Sequence, residues 1–495
     1  MDFVNMTISN RDALVELMMI PPTVTPLHIL TSVSVMAMAL IAVWKSSNDR
    51  ASREKLLPPM AQCGFIRMIM KATSPDGPWF VLRLARSALG TIYRIRMTPF
   101  GLGPDFVVAC DAKFAQSVLR DPENDKPTVF YKHFDSFTGD APSLLTSEGH
   151  RWYHARKATF PAFSSKYVKR VNSIILEQVN QWVQEVLIPN HVEKEEPFEI
   201  AAALVRQVLK GISAAGFEYE MSNEEVELLL EEWEIIHKEI AKRFKNPLRQ
   251  MFLPFTPSGQ RYALALVRAH EFSKKVLKNY RALKDPKEGT IISLIANNPN
   301  YESDDDRIAE ISLFFFAGHD TTGYTLAWTI LELAKNPSEQ SKLRNAVQNK
   351  SSDEWRNVLE LQCAVKEGLR LHPVVAGGTW RVLKNDMKTD KYFFVKGTHI
   401  YIPFLAIFRN EEYVDKPDEF IPSRWVDPSD DLCSASFPFS LGRRNCMGQS
   451  LATAELYNCL ATLIAGFEFA VYDEGKVDYF TSLKPVGAKL IAKKL

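Results

Sequence analysis

From Asp305 to Leu333 the chain keeps a helical pattern that is apolar on almost every face, ending before Asn336-Pro337. A helix of that length exceeds the usual globular span and has no polar side to offer water, so it must cross the core with other elements packed around it. Apolar residues at three-to-four spacing predict further helices over Tyr167 to Leu187, Asn223 to Phe244, Gln260 to Leu283 and roughly Ser352 to Leu371, the last stopping at His372-Pro373. Two strand-like runs between Thr91 and Ala109, TIYRIRM and DFVVA, flank a Gly/Pro turn and predict a hairpin. Short strands are expected at Tyr392 to Phe394 and His399 to Ile402, and a last helix from just after Cys446 to Ala465. The fold class is mainly α with a small β part. No linker, low-complexity tract or repeat divides residues 60–495.

Composition adds exclusions. Of 495 residues, 24% are charged and 46% hydrophobic, which is globular usage. A formal net charge of +1 gives no whole-chain field for nucleic acid. Six cysteines occur without a CxxC pair, so neither a disulfide scaffold nor a zinc ribbon is indicated, and a reducing compartment is expected.

The first residues differ. Leu27 to Trp44 is a run of 18 residues without Asp, Glu, Lys or Arg. As a helix it spans about 27 Å, near the minimum for a bilayer core. A buried core helix and a cleaved signal peptide are the competing readings. The late start and the acidic flank at Asp12 and Glu16 argue against cleavage. Lys45, Arg50, Arg53 and Lys55 follow the run, so residues 1–26 should be lumenal, 27–44 the anchor, 45–59 a basic linker ending in a stiff Pro58-Pro59 hinge, and 60–495 a cytosolic body. Asn5-Met6-Thr7 is a glycosylation sequon on the lumenal side.

Two motifs carry chemistry. Phe439 to Gly448 reads FSLGRRNCMG and stands directly before a helix. Backbone N–H groups and the positive end of a helix stabilise a thiolate at Cys446. Gly442 and Gly448 let the backbone approach a flat cofactor, Phe439 can shield one side, and Arg444 can pair with an acidic group on its rim. The alternative is an inert buried cysteine, which is how the other five are read. In the middle of the long helix, Ala317 to Thr322 reads AGHDTT. Buried polar groups need partners. The Thr321 hydroxyl can take the Ala317 carbonyl, Gly318 clears space, and Asp320 beside that hydroxyl can pass protons inward. A helix N-cap is excluded because the apolar pattern continues on both sides. His319 is read as a core or surface histidine and not as a ligand.

The spacing Phe-x-x-Gly-x-Arg-x-Cys-x-Gly resembles the haem-binding loop of cytochrome P450 enzymes at all five fixed positions, and Ala452 fits its usual extension. AGHDTT is similar to the oxygen-activation motif of that family. The resemblance covers roughly residues 60 to 495 and implies the cytochrome P450 fold behind an N-terminal transmembrane helix. It implies haem b (iron protoporphyrin IX) with Cys446 as axial ligand, and Asp320 with Thr321 delivering protons beside Ala317. It further implies Trp152, Arg156 and Arg381 at the haem propionates, and a buried structural triad of Glu367, Arg370 and Arg424 bracing the cysteine loop.

A thiolate ligand favours O–O cleavage, so the resemblance implies a mono-oxygenase. No flavin or nucleotide loop is evident, which leaves electrons to a partner, by resemblance an NADPH-dependent flavoprotein reductase. Lys157, Lys166, Lys169 and Arg170 are either its docking face or simply solvated. The implied pocket walls are Phe130–Phe137, Phe314–Ala317, Val374 to Thr379 and Thr481 to Leu483, apolar enough for a lipophilic substrate entering from an endoplasmic reticulum membrane. AGHDTT with Trp328 looks most like the fatty-acid-hydroxylating branch. Some members of that branch carry a glutamate where Ala317 stands and bind haem covalently; with alanine no ester is expected. The rivals are a peroxide isomerase or dehydratase, which tends to lose the acid–threonine pair, a haem sensor without turnover, and a tethered protein without haem.

Overall fold

A computed structural model describes residues 57–495, apart from 62–70, 72, 73, 75, 88, 97–104, 140, 247 and 248. The proposed anchor at 27–44, the basic residues after it and the Asn5 sequon lie outside the described residues. Pro58 and Pro59 lie within them. Their carbonyls accept bonds from Arg94 Nε at 2.7 Å and Arg94 N at 2.8 Å, which fastens this segment to the first strand.

Eight helices carry the site: α1 (Gly149–Thr159), α2 (Ser165–Trp182), α3 (Ile200–Phe217), α4 (Asn223–Lys245), α5 (Pro257–Arg281), α6 (Asp304–Lys335), α7 (Leu359–Leu371) and α8 (Gln449–Gly466). The long helix α6 starts at a capping box: Ser303 and Asp306 each accept the other's backbone N–H. Asp304, Asp305 and Asp306 add negative charge at the positive end of its dipole. Helices α2, α3, α6 and α8 pack in a closed ring of contacts. Helix α3 is long and apolar enough to cross a membrane, yet it is a core element with 72% of that window buried.

Helix α6 serves two hydrophobic cores. Ile308, Ile311 and Phe314 to Phe316 belong to one, with α4 and α5. Leu326 to Trp328, Ile330, Leu331 and Leu333 belong to the other, with α3, α7 and α8. The polar step from Ala317 to Thr325 lies where the two meet.

A four-stranded sheet flanks the helices: β1 (Ile92–Arg96), β2 (Asp105–Ala109), β3 (Thr379–Val382) and β4 (His399–Ile402), in the order β1-β2-β4-β3. The expected hairpin is present, with Ile92 opposite Ala109. Strand β4 runs parallel to β2 and antiparallel to β3, so one sheet joins the two halves of the sequence. Near the C-terminus β5 (Lys476–Tyr479) and β6 (Leu483–Val486) form a second hairpin.

Two helix expectations need correction. The run from Ser352 to Leu371 is two pieces, Ser352–Trp355 and then α7. A capping box between Ser351 and Glu354 closes the first turn, and the Trp355 indole bonds back to the Val347 carbonyl at 3.4 Å. The helix from Tyr167 widens after Trp182 into a π-helix, Val183–Val192. Pro189 inside it has no N–H and its ring would meet the preceding turn, which the wider winding relieves.

Inside the helix ring Glu455 of α8 is buried, and its Oε1 and the Gln207 Nε2 have no hydrogen-bond partner. Gly211 on α3 makes the space: a Cβ there would lie 2.8 Å from that Oε1. Burial pushes the Glu455 carboxyl up to about 8. A folded-state value above the unfolded one gives stability that is complete below the unfolded pKa and lost as pH rises through the folded value. Glu455→Gln should therefore gain on the parent protein between about pH 5 and pH 8, by up to about 1.4 kcal/mol per unit. Melting temperatures of the two proteins across that range test this; parallel curves would refute it.

Candidate active site

Cys446 ends a tightly wound loop. Its N–H donates to the Phe439 carbonyl at 2.8 Å, and Asn445 N–H to the Gly442 carbonyl at 3.1 Å. Gly442 has φ +72°, and a Cβ there would stand 2.0 Å from the Leu119 carbonyl oxygen, so no other residue fits. Helix α8 begins at Gln449, three residues after the sulfur. The Cys446 side chain is accessible although protein surrounds it on every side, so its sulfur lines an interior cavity. Burial pushes the thiol up. The Gly448 and Gln449 N–H groups, with the charges of Arg156 and Lys126, pull it back. Gly448 lies in this shell, with Phe163 beside it. Arg156 braces the loop from α1: its guanidinium donates to the Asn445 carbonyl at 3.0 Å and to Asn445 Oδ1 at 2.6 Å.

Beside the loop cations outnumber anions. Arg443 and Arg444 reach the Asp125 carboxylate at 3.0 and 3.4 Å, and Arg444 also donates to the Ser147 carbonyl at 3.0 Å. Both guanidinium groups lie over the Trp152 ring, at 5.2 and 4.6 Å. Arg381 on β3 is buried, with Nη1 on Thr379 Oγ1 at 2.8 Å and Nη2 without a partner. Lys126 joins them, its ammonium 4.6 Å from the Tyr131 ring centre. Burial, then Arg444 and Arg381, hold the Lys126 ammonium well below its ordinary value. Burial likewise lowers Arg444 to about 10. Lys126, Arg381 and Arg444 against one carboxylate, with Arg443 exposed at the rim, are costly in a protein interior unless a further anion completes the group.

On α6 the Thr321 hydroxyl donates to the Ala317 carbonyl at 2.9 Å, and the α-helix continues through it. Ala317 is exposed on a stretch whose preceding residues are buried, so it too opens on the interior. Asp320 is buried and points elsewhere, bonded by the Ser482 hydroxyl. Burial pushes its carboxyl up, but Lys484, then His237, His319 and Ser482, outweigh this and hold it below the ordinary range. His319 packs on Trp233, ring centres 4.6 Å apart, with Nδ1 on the Phe315 carbonyl at 2.8 Å.

The structure brings Glu367, Arg370 and Arg424 together. Arg370 meets Glu367 with two bonds, 2.7 and 2.9 Å, and Arg424 adds a third at 3.0 Å. Ile421 N–H and the Trp425 indole fill the remaining acceptor sites at 3.0 and 2.8 Å. Arg370 also donates to the carbonyls of Phe408, Pro417 and Glu419. The cluster therefore grips residues 408–425, the segment that leads to the cysteine loop.

Of the expected walls, Phe137 stacks on Phe316 at 3.9 Å, and His237 of α4 lies against both rings. Phe130 instead stacks on Trp380 at 4.6 Å. Tyr131 bonds Thr379 Oγ1 at 2.7 Å, which ties this segment to β3. Sequence reading missed Asp125, Lys126, His237 and Lys484, and took Ser482 only as part of the wall from Thr481 to Leu483. None sits in a motif, and each meets the site only through tertiary contact.

A soft sulfur donor, a cavity and a surplus of buried cations suit a flat, iron-centred cofactor with two carboxylates. The family model for cytochrome P450 matches residues 58–491, and the chain belongs to that family. A probable cytochrome P450 508C1 of Dictyostelium discoideum is 26% identical over 71% of this chain and 78% of its own length. Leukotriene-B4 omega-hydroxylase 3 of Mus musculus is 28% identical, over 74% and 76%. Cytochrome P450 4F8 of Homo sapiens is 27% identical over the same shares. The protein is a haem-thiolate mono-oxygenase, an oxidoreductase that binds iron protoporphyrin IX, O2 and a substrate and takes electrons from a reductase.

Glu367→Ala would leave Arg370 charged and buried without its anion. We expect a loss of about 3–5 kcal/mol and a protein purified largely without haem. The haem-to-protein absorbance ratio and the melting temperature measure this; an unchanged ratio and melting temperature would contradict it.

Proposed function

We propose that the protein hydroxylates long-chain fatty-acid-like lipids, with Cys446 as the sulfur that would hold the haem iron and electrons from an NADPH-dependent flavoprotein reductase. The observation that carries this reading is the accessible yet enclosed sulfur of Cys446, with the rings of Phe137 and Phe316 stacked beside Ala317. A leukotriene hydroxylase among the relatives supports the lipid class.

Haem bound through a thiolate supplies the oxygen chemistry. The chain's own residues do the rest. The Gly448 and Gln449 N–H groups hold negative charge on the sulfur. Arg381, Arg444 and Trp152 would hold the propionates, while Arg156 fixes the loop. Phe137 and Phe316 orient an apolar chain and exclude water. Asp320 takes up a proton and passes it to the Thr321 hydroxyl, which keeps its oxygen near Ala317. The segment 27–44 tethers the protein to the endoplasmic reticulum membrane, so a lipid enters from the bilayer. Lys157, Lys166 and Lys169 are exposed and suit an acidic reductase face, whereas Arg170 is bonded to the Glu288 carbonyl.

The reduced, CO-bound spectrum tests the ligand. The parent protein and Cys459→Ala should give the strongly red-shifted Soret band of a thiolate, and Cys446→Ala should not. A globin-like band in the parent, or loss in both variants, would refute the assignment. Substrate class is tested with purified protein, an NADPH-dependent flavoprotein reductase and dodecanoic acid. Hydroxylated product that requires both NADPH and O2 is expected. A rearranged product formed without either would instead favour an isomerase.

A further inference from the structure

Arg243 stands in the last turn of α4. Only 12% of its side chain is exposed, and its guanidinium lies over the Tyr262 ring of α5, 4.3 Å from the ring centre. Tyr262 is buried, and its hydroxyl donates to Ser136 Oγ at 2.8 Å. Ser136 precedes Phe137, the ring that stacks on Phe316 next to Ala317. Arg243 is thus built into the frame that carries the aromatic wall. An enclosed guanidinium ordinarily spends its donors on a carboxylate or on carbonyls, as Arg370 does. Arg243 does neither. Its Nε is buried without a hydrogen-bond partner, and the two terminal nitrogens, which are accessible, have none among the described residues. Glu239, one turn back on α4, lies 3.6 Å from that Nε, too far for a hydrogen bond. Both Glu239 oxygens are already taken by Arg249, at 2.8 and 2.9 Å. Two guanidinium groups therefore face one buried carboxylate, and Arg243 is the one left over. Burial, then Arg243 and Lys132, hold the His133 imidazole below its ordinary value, so the positive field reaches the segment that bears Phe137.

We propose that Arg243 binds the carboxylate of the lipid substrate. This deepens the fatty-acid reading above and rests on it. Two accessible terminal nitrogens in one plane match the two oxygens of a carboxylate. A pair formed where water is largely excluded is also worth more than one at the surface. The substrate chain then runs back along α4. His237, six residues earlier on that helix, lies about 9 Å away along the axis and touches both Phe137 and Phe316. With its acid end fixed at Arg243, the chain lies against these rings and its remote end meets Ala317. The arginine sets how far the chain enters, and so which carbon is oxidised.

The test uses full-length protein with the flavoprotein reductase and NADPH, and two probes of one chain length, dodecanoic acid and methyl dodecanoate. Arg243→Leu should raise KM for the acid by about tenfold and change KM for the ester by less than about twofold. Arg243→Lys, which keeps the charge but not the fork, should fall between parent and Arg243→Leu. Hydroxylation of the acid should centre on one carbon in the parent and spread over several in Arg243→Leu. The Soret shift of the resting protein on adding dodecanoic acid gives the same comparison without turnover. An equal rise for acid and ester would mean that Arg243 only shapes the pocket. Unchanged KM and product position would mean that the carboxylate binds elsewhere. Either result overturns the inference and leaves the fatty-acid reading standing. If the parent neither binds nor hydroxylates either probe, the lipid class itself is wrong, and the inference falls with it.

Discussion

A carboxylate with no exposure at all, Glu367, sets the terms for much of this fold. Two arginines, an indole and a backbone N–H saturate its oxygens, and Arg370 spends its remaining donors on three carbonyls from residues 408–419. Such a cluster adds little net stability over an apolar packing, since two charges had to leave water to form it. What it contributes is geometry. The segment it grips has little regular secondary structure, and it must still deliver the cysteine loop to one position against α8.

The cation group beside that loop follows the opposite rule. Arg443 and Arg444 share Asp125, and burial disfavours the charges of Lys126, Arg381 and Arg444 beside it. Where Glu367 is fully satisfied by protein, this group is satisfied only in part. The unpartnered Nη2 of Arg381 marks the shortfall. A polypeptide that folds around such an imbalance is adapted to a bound dianion. The protein alone is correspondingly less stable than its packing would allow.

The chain's architecture was legible where periodicity is strong. The long helix, α4, α5 and α8 lie within a few residues of their expected bounds, and the hairpin of β1 and β2 is where its turn residues place it. Helix α3 was not singled out: its polar stripe is narrow, carried by Arg206 and Lys210 among small apolar residues, and gives a weak periodic signal. The gap before α7 depends on Ser351 and Glu354 closing a cap, a local bond that periodicity cannot see. At the site, motif residues were legible because the chemistry of a sulfur ligand or a helix threonine constrains spacing along the chain. Lys126, Ser482 and Lys484 are joined to the motifs across gaps of well over a hundred residues, where spacing carries no signal. The orientation of Asp320 was hidden for the same reason. Its partner is on the C-terminal hairpin and not on its own helix.

Helix α6 enters one hydrophobic cluster with its first half and another with its second, and the stretch between gathers His319, Asp320, Thr321, Thr322 and Thr325. Mechanically it is a beam clamped at both ends and thinned at mid-span. Each end is held by aromatic and branched side chains that resist displacement, while the middle carries Gly318, Gly323 and threonines bonded back to their own helix. The bare glycines let α3 seat against this mid-span: a Cβ at Gly318 would lie 2.0 Å from Ile212 and one at Gly323 2.8 Å from Val205, so the beam is braced on the side away from the accessible Ala317.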